Sequence, residues 1–207
     1  GGTSVANLSR IKNLQQLVSN KISNGYKRII LVVSAMSGVT NNLEKQYRKI
    51  DSDINNPEYD VILSTGEQYS SAYISTFLNK NGVKSRSILG WQIPIITDDK
   101  FSHARIEKID TEKILKLFKK FNVLVVAGFQ GISSEGRITT LGRGGSDTSA
   151  VAMAVAFKSK ICEIYTDVEG IFSSDPRVVK DAKKIKKITY EEILEMASLG
   201  SKVLHPR

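Results

Sequence analysis

Apolar residues recur at helical spacing at Val5, Leu8, Ile11, Leu14 and Val18, directly after the loop Gly1–Ser4, so the sequence predicts a loop feeding a helix N-terminus. The run Arg28–Ala35 (RIILVVSA) is short, continuous and rich in β-branched residues, which predicts a strand covered on both faces. Similar runs occur at SRSILG (85–90), PIITD (94–98), VLVVAGF (123–129) and KICEIYTD (160–167). Helical patterns lie between them at Tyr59–Asn79, with Gly82 placed to end the helix, at Thr111–Phe121 and at Ser149–Phe157. Strands alternating with helices predict an α/β fold, a three-layer αβα sandwich with a mainly parallel central sheet. Thr189 and Glu192 form a capping box ahead of Ile193, Met196 and Ala197, and Gly200 can close that helix. The polar segment Asn41–Tyr59 is weakly patterned and reads as a connection or an exposed helix. No repeat or low-complexity linker divides the chain, which reads as one domain.

Polar, glycine-bearing stretches follow the predicted strands or start helices: Gly1–Ser4, Ser34–Thr40 (SAMSGVT), GFQG (128–131) running into TTLGRGGSD (139–147), and TDVEGIFSSDPR (166–177). In an open parallel sheet, ligands bind beyond the carboxyl ends of the strands, so these stretches are expected on one rim. Glycine there lets backbone N–H groups approach an anion, and a helix N-terminus behind them favours negative charge. Neither the Walker loop nor the dinucleotide fingerprint is present. Within GRGGSD, Arg143 offers a planar fork for a carboxylate and Asp147 a partner for an ammonium group, so together they can read a zwitterion. The alternative is that Asp147 or Ser146 caps the following helix and Arg143 is a surface charge. Glu67, inside LSTGEQYSS, is either a solvated helix position or a second contact for the ammonium group. His103 and His205 have no partners at metal-ligand spacing, so no metal site is expected, and Trp91 is expected to anchor a loop on the core.

The composition narrows the functional classes. Hydrophobic residues make up 41% of the 207 positions, enough for a sizeable core. The net charge of +9 is spread along the chain, and its densest cluster, Lys180–Lys187, has no interleaved aromatics, so it reads as a solvated face rather than a nucleic-acid surface. No apolar run approaches the roughly 18 residues of a membrane span, and the N-terminal residues lack the order of a signal peptide, which together predict a cytoplasmic protein. The single Cys162 cannot form an internal disulfide and is expected as a small buried thiol.

The motifs GGTSV, VVSAMSGVT, LSTGEQ, GWQIPIITDD, VVAGFQGI, TTLGRGGSDTSAVA, EIYTDVEGIFSSDPRVV and MASLGSKVLHPR occur in an order and spacing that resembles the catalytic domain of the aspartokinases, in the amino-acid kinase family. The resemblance implies transfer of the ATP γ-phosphoryl group to the β-carboxylate of L-aspartate, with Mg2+ on the nucleotide. It implies that Arg143 holds the substrate α-carboxylate, that Asp147 and Glu67 hold its α-ammonium, and that Thr40, Phe129 and Ser146 line the pocket. Gly1, Gly2, Thr3, Ser4 and Ser34 correspond to the loops around the transferring phosphoryl. Thr166, Asp167, Phe172, Arg177 and Lys202 correspond to the nucleotide half, with Arg177 and Lys202 near phosphates and Phe172 near the nucleoside. The implied organisation is an aspartate-binding lobe over about 1–150 and a nucleotide-binding lobe over about 151–207, homo-oligomeric in the full-length protein.

Three departures qualify the resemblance. Aspartokinases carry a lysine two residues before the first glycine, ahead of Gly1 here, so the chain as given is expected to bind both substrates but turn over poorly. Phe172 stands where the family has tyrosine. Regulatory ACT domains follow the position of Arg207 in the family, so the chain is expected to be a catalytic piece without a site for feedback amino acids. Two rival readings are another amino-acid kinase, acting on glutamate, acetylglutamate or a nucleotide, and a silent homologue that only binds a ligand.

Overall fold

The computed structural model describes residues 2–142, 144–166, 170, 172–173 and 179–189. In chain order it holds a 3-10 helix at Gly2–Val5, α1 (Leu8–Ser23), β1 (Ile29–Val33), α2 (Val39–Tyr47), α3 (Pro57–Lys80), β2 (Ser85–Ile88), β3 (Ile95–Thr97), β4 (Ile106–Ile109), α4 (Thr111–Leu117), β5 (Val123–Ala127), β6 (Gln130–Ile132), β7 (Ile138–Thr140) and α5 (Gly145–Ala156). The chain divides into two compact units, 1–165 and 166–207, and all these elements belong to the first. In the second, Phe172 and Lys184 form an antiparallel bridge, and the Ser173 hydroxyl accepts the Lys183 N–H at 3.0 Å. No helix among the described residues is long and apolar enough to cross a membrane.

Every residue of β5 is buried, as a continuous apolar run requires of a central strand, and β1 and β2 flank it in parallel. Alternation along these strands sends their side chains to opposite faces. Val33, Val123 and Val125 pack with Ile11 and Val18 of α1 and with Ile74 and Leu78 of α3. Ile88, Leu124 and Val126 pack instead with Ile114 of α4 and Met153 of α5. Helices therefore cover both faces of a parallel sheet, the αβα arrangement expected from the sequence. A second sheet, in the order β4-β3-β6-β7, is mixed.

Several expectations change. β4, β6 and β7 go beyond the predicted strands, because β4 carries Glu107 and Lys108, β6 reads only Gln-Gly-Ile and β7 ends on two threonines, so none has the continuous apolar run that marks β1 and β5. Within the polar segment after Thr40, α2 packs on α3 through Tyr47, whose ring meets Tyr59 edge-on at 5.0 Å. α5 begins at Gly145 rather than Ser149, after Gly144 turns the chain at φ 76°. The run 161–164 carries no strand: Ile161 is 62% exposed, and Cys162 is an exposed thiol rather than a buried one. Trp91 is 48% exposed, and the buried Ile93 anchors that loop instead. The predicted helix after Thr189 lies outside the described residues.

Gly131 in β6 illustrates how closely the second sheet is packed. A Cβ there would sit 2.6 Å from the Ile95 carbonyl oxygen and 2.5 Å from Thr97 Cγ2. Backbone cannot yield as a flexible side chain can, so Gly131→Ala is expected to destabilise the fold by about 1–3 kcal/mol, measured by denaturant titration. An unchanged midpoint would mean that β3 and β6 do not approach this closely.

Candidate substrate site at the ends of the parallel strands

Val33 and Ala127 are register partners at the carboxyl ends of β1 and β5, and the chain leaves both strands through glycine-bearing loops. The Gly128 N–H donates to the Val33 carbonyl at 3.0 Å, which ties the two exits together. A Cβ on Gly128 would lie 3.0 Å from Ser146 Cα, so the exit of β5 rests directly on the first turn of α5. Next to it, Phe129 adopts φ 67°, in the left-handed region that a bulky residue rarely occupies. It is held there by its N–H donating to Ser149 Oγ at 3.0 Å and by its carbonyl accepting the Leu141 N–H at 2.8 Å. Such strain costs on the order of 1–3 kcal/mol and persists only where the surroundings impose it. Ser149 escaped the sequence reading because its serine looks like any small residue early in a helix.

Two helices begin here without a side-chain cap. α2 starts after Gly38, at φ 81°, and α5 after Gly144, so Thr40 and Ser146 lie in first turns whose N–H groups are not covered by a capping side chain. Such starts favour anions. Because Gly144 is the N-cap, neither Asp147 nor Ser146 caps α5, and the capping alternative fails for both. Burial raises the pKa of Asp147, and among the described residues no hydrogen-bond donor meets its carboxylate.

The remaining wall comes from α3 and the N-terminal turn. A Cβ on Gly2 would sit 2.6 Å from the Ala35 carbonyl oxygen, which seats the 3-10 helix on the loop after β1. Ser4 Oγ donates to the Tyr165 carbonyl at 3.3 Å. From the other side, a Cβ on Gly66 would lie 2.8 Å from Ala35 Cβ, so α3 presses against the same loop and carries Glu67 into it. Glu67 is only 3% exposed, which overturns the solvated reading. Its Oε1 accepts the Ala35 N–H at 3.0 Å, whereas Oε2 is buried with no hydrogen-bond partner among the described residues. Burial pushes its pKa up to about 7 against the opposing pull of the Ala35 N–H. A buried acceptor left unmatched costs about 1–3 kcal/mol, a deficit that a donor from a ligand would remove.

Gly2, Ser4, Ser34, Thr40, Glu67, Phe129, Ser146 and Asp147 thus sit on segments gathered around the exits of β1 and β5, with Thr3 half-buried in the same N-terminal turn. Gly1, Arg143, Asp167, Arg177 and Lys202 lie outside the described residues, although the flanking Gly142 and Gly144 both adopt positive φ, 74° and 76°. Thr166 and Phe172 belong to the second unit.

The parallel sheet thus gathers glycine loops, two helix starts without a capping side chain, the buried Glu67 and the half-buried Asp147 at the ends of its strands, the place where α/β domains hold small ligands. The chain belongs to the amino acid kinase family, whose model matches residues 1–207. It is 48% identical over 211 residues to an aspartokinase from Rickettsia felis, an alignment that covers 100% of this chain and 52% of that protein. Among solved structures it superposes on aspartate kinase from Synechocystis with a TM-score of 0.84 and 44% identity, covering 100% of this chain and 34% of the other. Against E. coli aspartokinase III in complex with aspartate and ADP the TM-score is 0.86 at 26% identity, covering 100% and 56%. The chain spans about half the length of the curated relatives it matches.

Proposed function

We propose that this chain is the catalytic part of an aspartate kinase, transferring the γ-phosphoryl group of ATP to the β-carboxylate of L-aspartate. The observation that carries this reading is the buried Glu67 carboxylate with one oxygen unmatched, set beside two uncapped helix starts. A zwitterion answers both features, since its ammonium would donate to Glu67 and Asp147 while its α-carboxylate meets Arg143 and the start of α5. Thr40, Phe129 and Ser146 would close around the substrate. The relative crystallised with aspartate and ADP supports the same pair of ligands.

With the α-carbon groups held, the β-carboxylate faces the γ-phosphorus. One of its oxygens bonds to phosphorus, the bond to the bridging oxygen breaks, and ADP leaves with that electron pair. No protein nucleophile is needed, so catalysis rests on positioning and neutralisation of charge. Gly1, Gly2, Thr3, Ser4 and Ser34 would surround the transferring group. The nucleotide would be held from about residue 151 onward by Thr166, Asp167, Phe172, Arg177 and Lys202, and the aspartate by the lobe before it. Magnesium would arrive with the nucleotide, held largely by phosphate oxygens, and would neutralise charge on them.

A cytoplasmic homo-oligomer completes the reading. Thr65, Tyr69, Ala72, Tyr73 and Thr76 form an exposed, uncharged stripe on α3, with the two tyrosine rings stacked at 5.7 Å, in a chain whose net charge is +9. A second copy can approach such a neutral face without like-charge repulsion.

Calorimetric titration in the presence of a non-hydrolysable ATP analogue tests the site directly. Succinate lacks the ammonium group and β-alanine the α-carboxylate, so each should bind at least about tenfold more weakly than L-aspartate. Succinate binding as tightly as aspartate would remove the ammonium-reading role of Glu67 and Asp147.

A further inference from the structure

Asp60 lies near the N-terminus of α3, completely buried, at 0% exposure. Its two carboxylate oxygens accept the Ser102 N–H at 3.0 and 2.9 Å, the Thr140 N–H at 2.7 Å and the Thr140 hydroxyl at 2.7 Å. No salt bridge reaches it among the described residues, so its hydrogen bonds come from two backbone N–H groups and one hydroxyl, with His103 adding a charge interaction nearby. A buried group of this kind contributes direction more than stability, since a well-packed apolar residue could fill the same volume.

The strand it holds is β7, which ends three residues before Arg143 in the sequence. Thr140 ends β7, and its carbonyl accepts the Ala104 N–H at 2.9 Å. The preceding Thr139 shares a 2.6 Å hydroxyl–hydroxyl bond with Thr97, and the following Leu141 donates to the strained Phe129. The end of β7 and Leu141, just before Gly142, are therefore fixed on several sides. On α3, Asp60 and Glu67 are two helical turns apart and share a face. One helix thus carries both the clamp on β7 and the carboxylate at the substrate site.

We propose that Asp60 is a positioning residue for substrate recognition, locking α3, with Glu67, to the strand that leads into the Leu141–Asp147 segment. This rests on the amino-acid-binding reading above. The groups assigned to the ammonium and the α-carboxylate come from these two segments but grip the same carbon, so their separation must hold within about 0.5 Å for the β-carboxylate to be presented in line. Loosening the clamp would raise KM for aspartate and blur the choice between aspartate and the one-carbon-longer glutamate, while the nucleotide is held as before.

Asp60→Asn, Thr140→Val and Thr140→Ser in the protein as it occurs in the cell separate positioning from mere stability. Asp60→Asn puts an amide donor against donors and should raise KM for aspartate about tenfold or more, with nucleotide affinity unchanged. Thr140→Val removes only the hydroxyl bond and should raise KM by about 3- to 10-fold, and Thr140→Ser should restore it. The preference for aspartate over glutamate should narrow in step. If Asp60→Asn fails to fold, the Thr140 pair decides alone. Lower melting temperature with unmoved KM and preference would overturn the positioning role. A wild-type protein inactive on aspartate would instead overturn the functional reading, and it is measured first.

Discussion

Glu67→Gln is expected to weaken L-aspartate binding by about 10- to 150-fold and, at the same time, to make the empty protein more stable at pH 8 relative to wild type. The two effects have one source. The carboxylate is buried with one oxygen unmatched, and its pKa stands at about 7 instead of the ordinary 4.5. For an acid whose folded pKa is raised, the stabilising contribution is complete below the unfolded value and is lost as the pH rises through the folded one. Wild type should therefore lose stability between pH 4.5 and 8 relative to Glu67→Gln, by on the order of 3 kcal/mol when ionisation is complete. Ammonium binding needs the ionised form, so wild-type affinity for aspartate should fall as the pH drops below about 7, whereas the variant should show no such dependence. Thermal melts with and without aspartate across this range check both halves. A variant with unchanged affinity and the same pH profile would make Glu67 an inert buried group.

The second large effect is expected at the other edge of the site. Asp147→Asn keeps the shape of the side chain but not its charge, and should raise the aspartate requirement by about 10- to 150-fold while nucleotide affinity changes little. Arg143→Ala should act in the same way through the α-carboxylate. Stability should barely respond in Asp147→Asn, since Gly144 rather than Asp147 caps α5, and the lost interaction with the helix dipole, at most about 1 kcal/mol, is opposed by relief of the burial that raises the Asp147 pKa. Steady-state kinetics beside a thermal melt separate the outcomes. A marked drop in melting temperature with intact kinetics would return Asp147 to a structural role.

The sequence discloses what local chemistry determines. β5 is legible because a strand buried on both faces must be apolar throughout, and α3 because its long helical pattern has a fixed end near Gly82. β6 is not legible, since Gly131 belongs there only because Ile95 and Thr97 come close to it from another strand. The site divides in the same way. The spacing of Arg143 and Asp147 leaves two readings open, a zwitterion reader or a helix cap beside a surface charge, and the backbone at Gly144 decides only whether Asp147 is the cap. Glu67 reads as a solvated helix residue until α3 is laid against Ala35, far away in sequence, and Asp60 gives no signal at all until Ser102 and Thr140 close on it. Burial of a carboxylate is a tertiary fact, and periodicity along one helix does not contain it.

The central claim is that the site phosphorylates the side-chain carboxylate of a zwitterionic four-carbon acid. It is tested most directly by incubating the protein with ATP, magnesium and one acceptor at a time in the presence of hydroxylamine, which traps an acyl phosphate as its hydroxamate. ADP release is followed in parallel. L-Aspartate should give ADP and β-aspartyl hydroxamate in equal amounts, with glutamate, N-acetylglutamate and uridine monophosphate far slower. Faster ADP release with any of those acceptors, or ADP release from aspartate without the hydroxamate, would contradict the account.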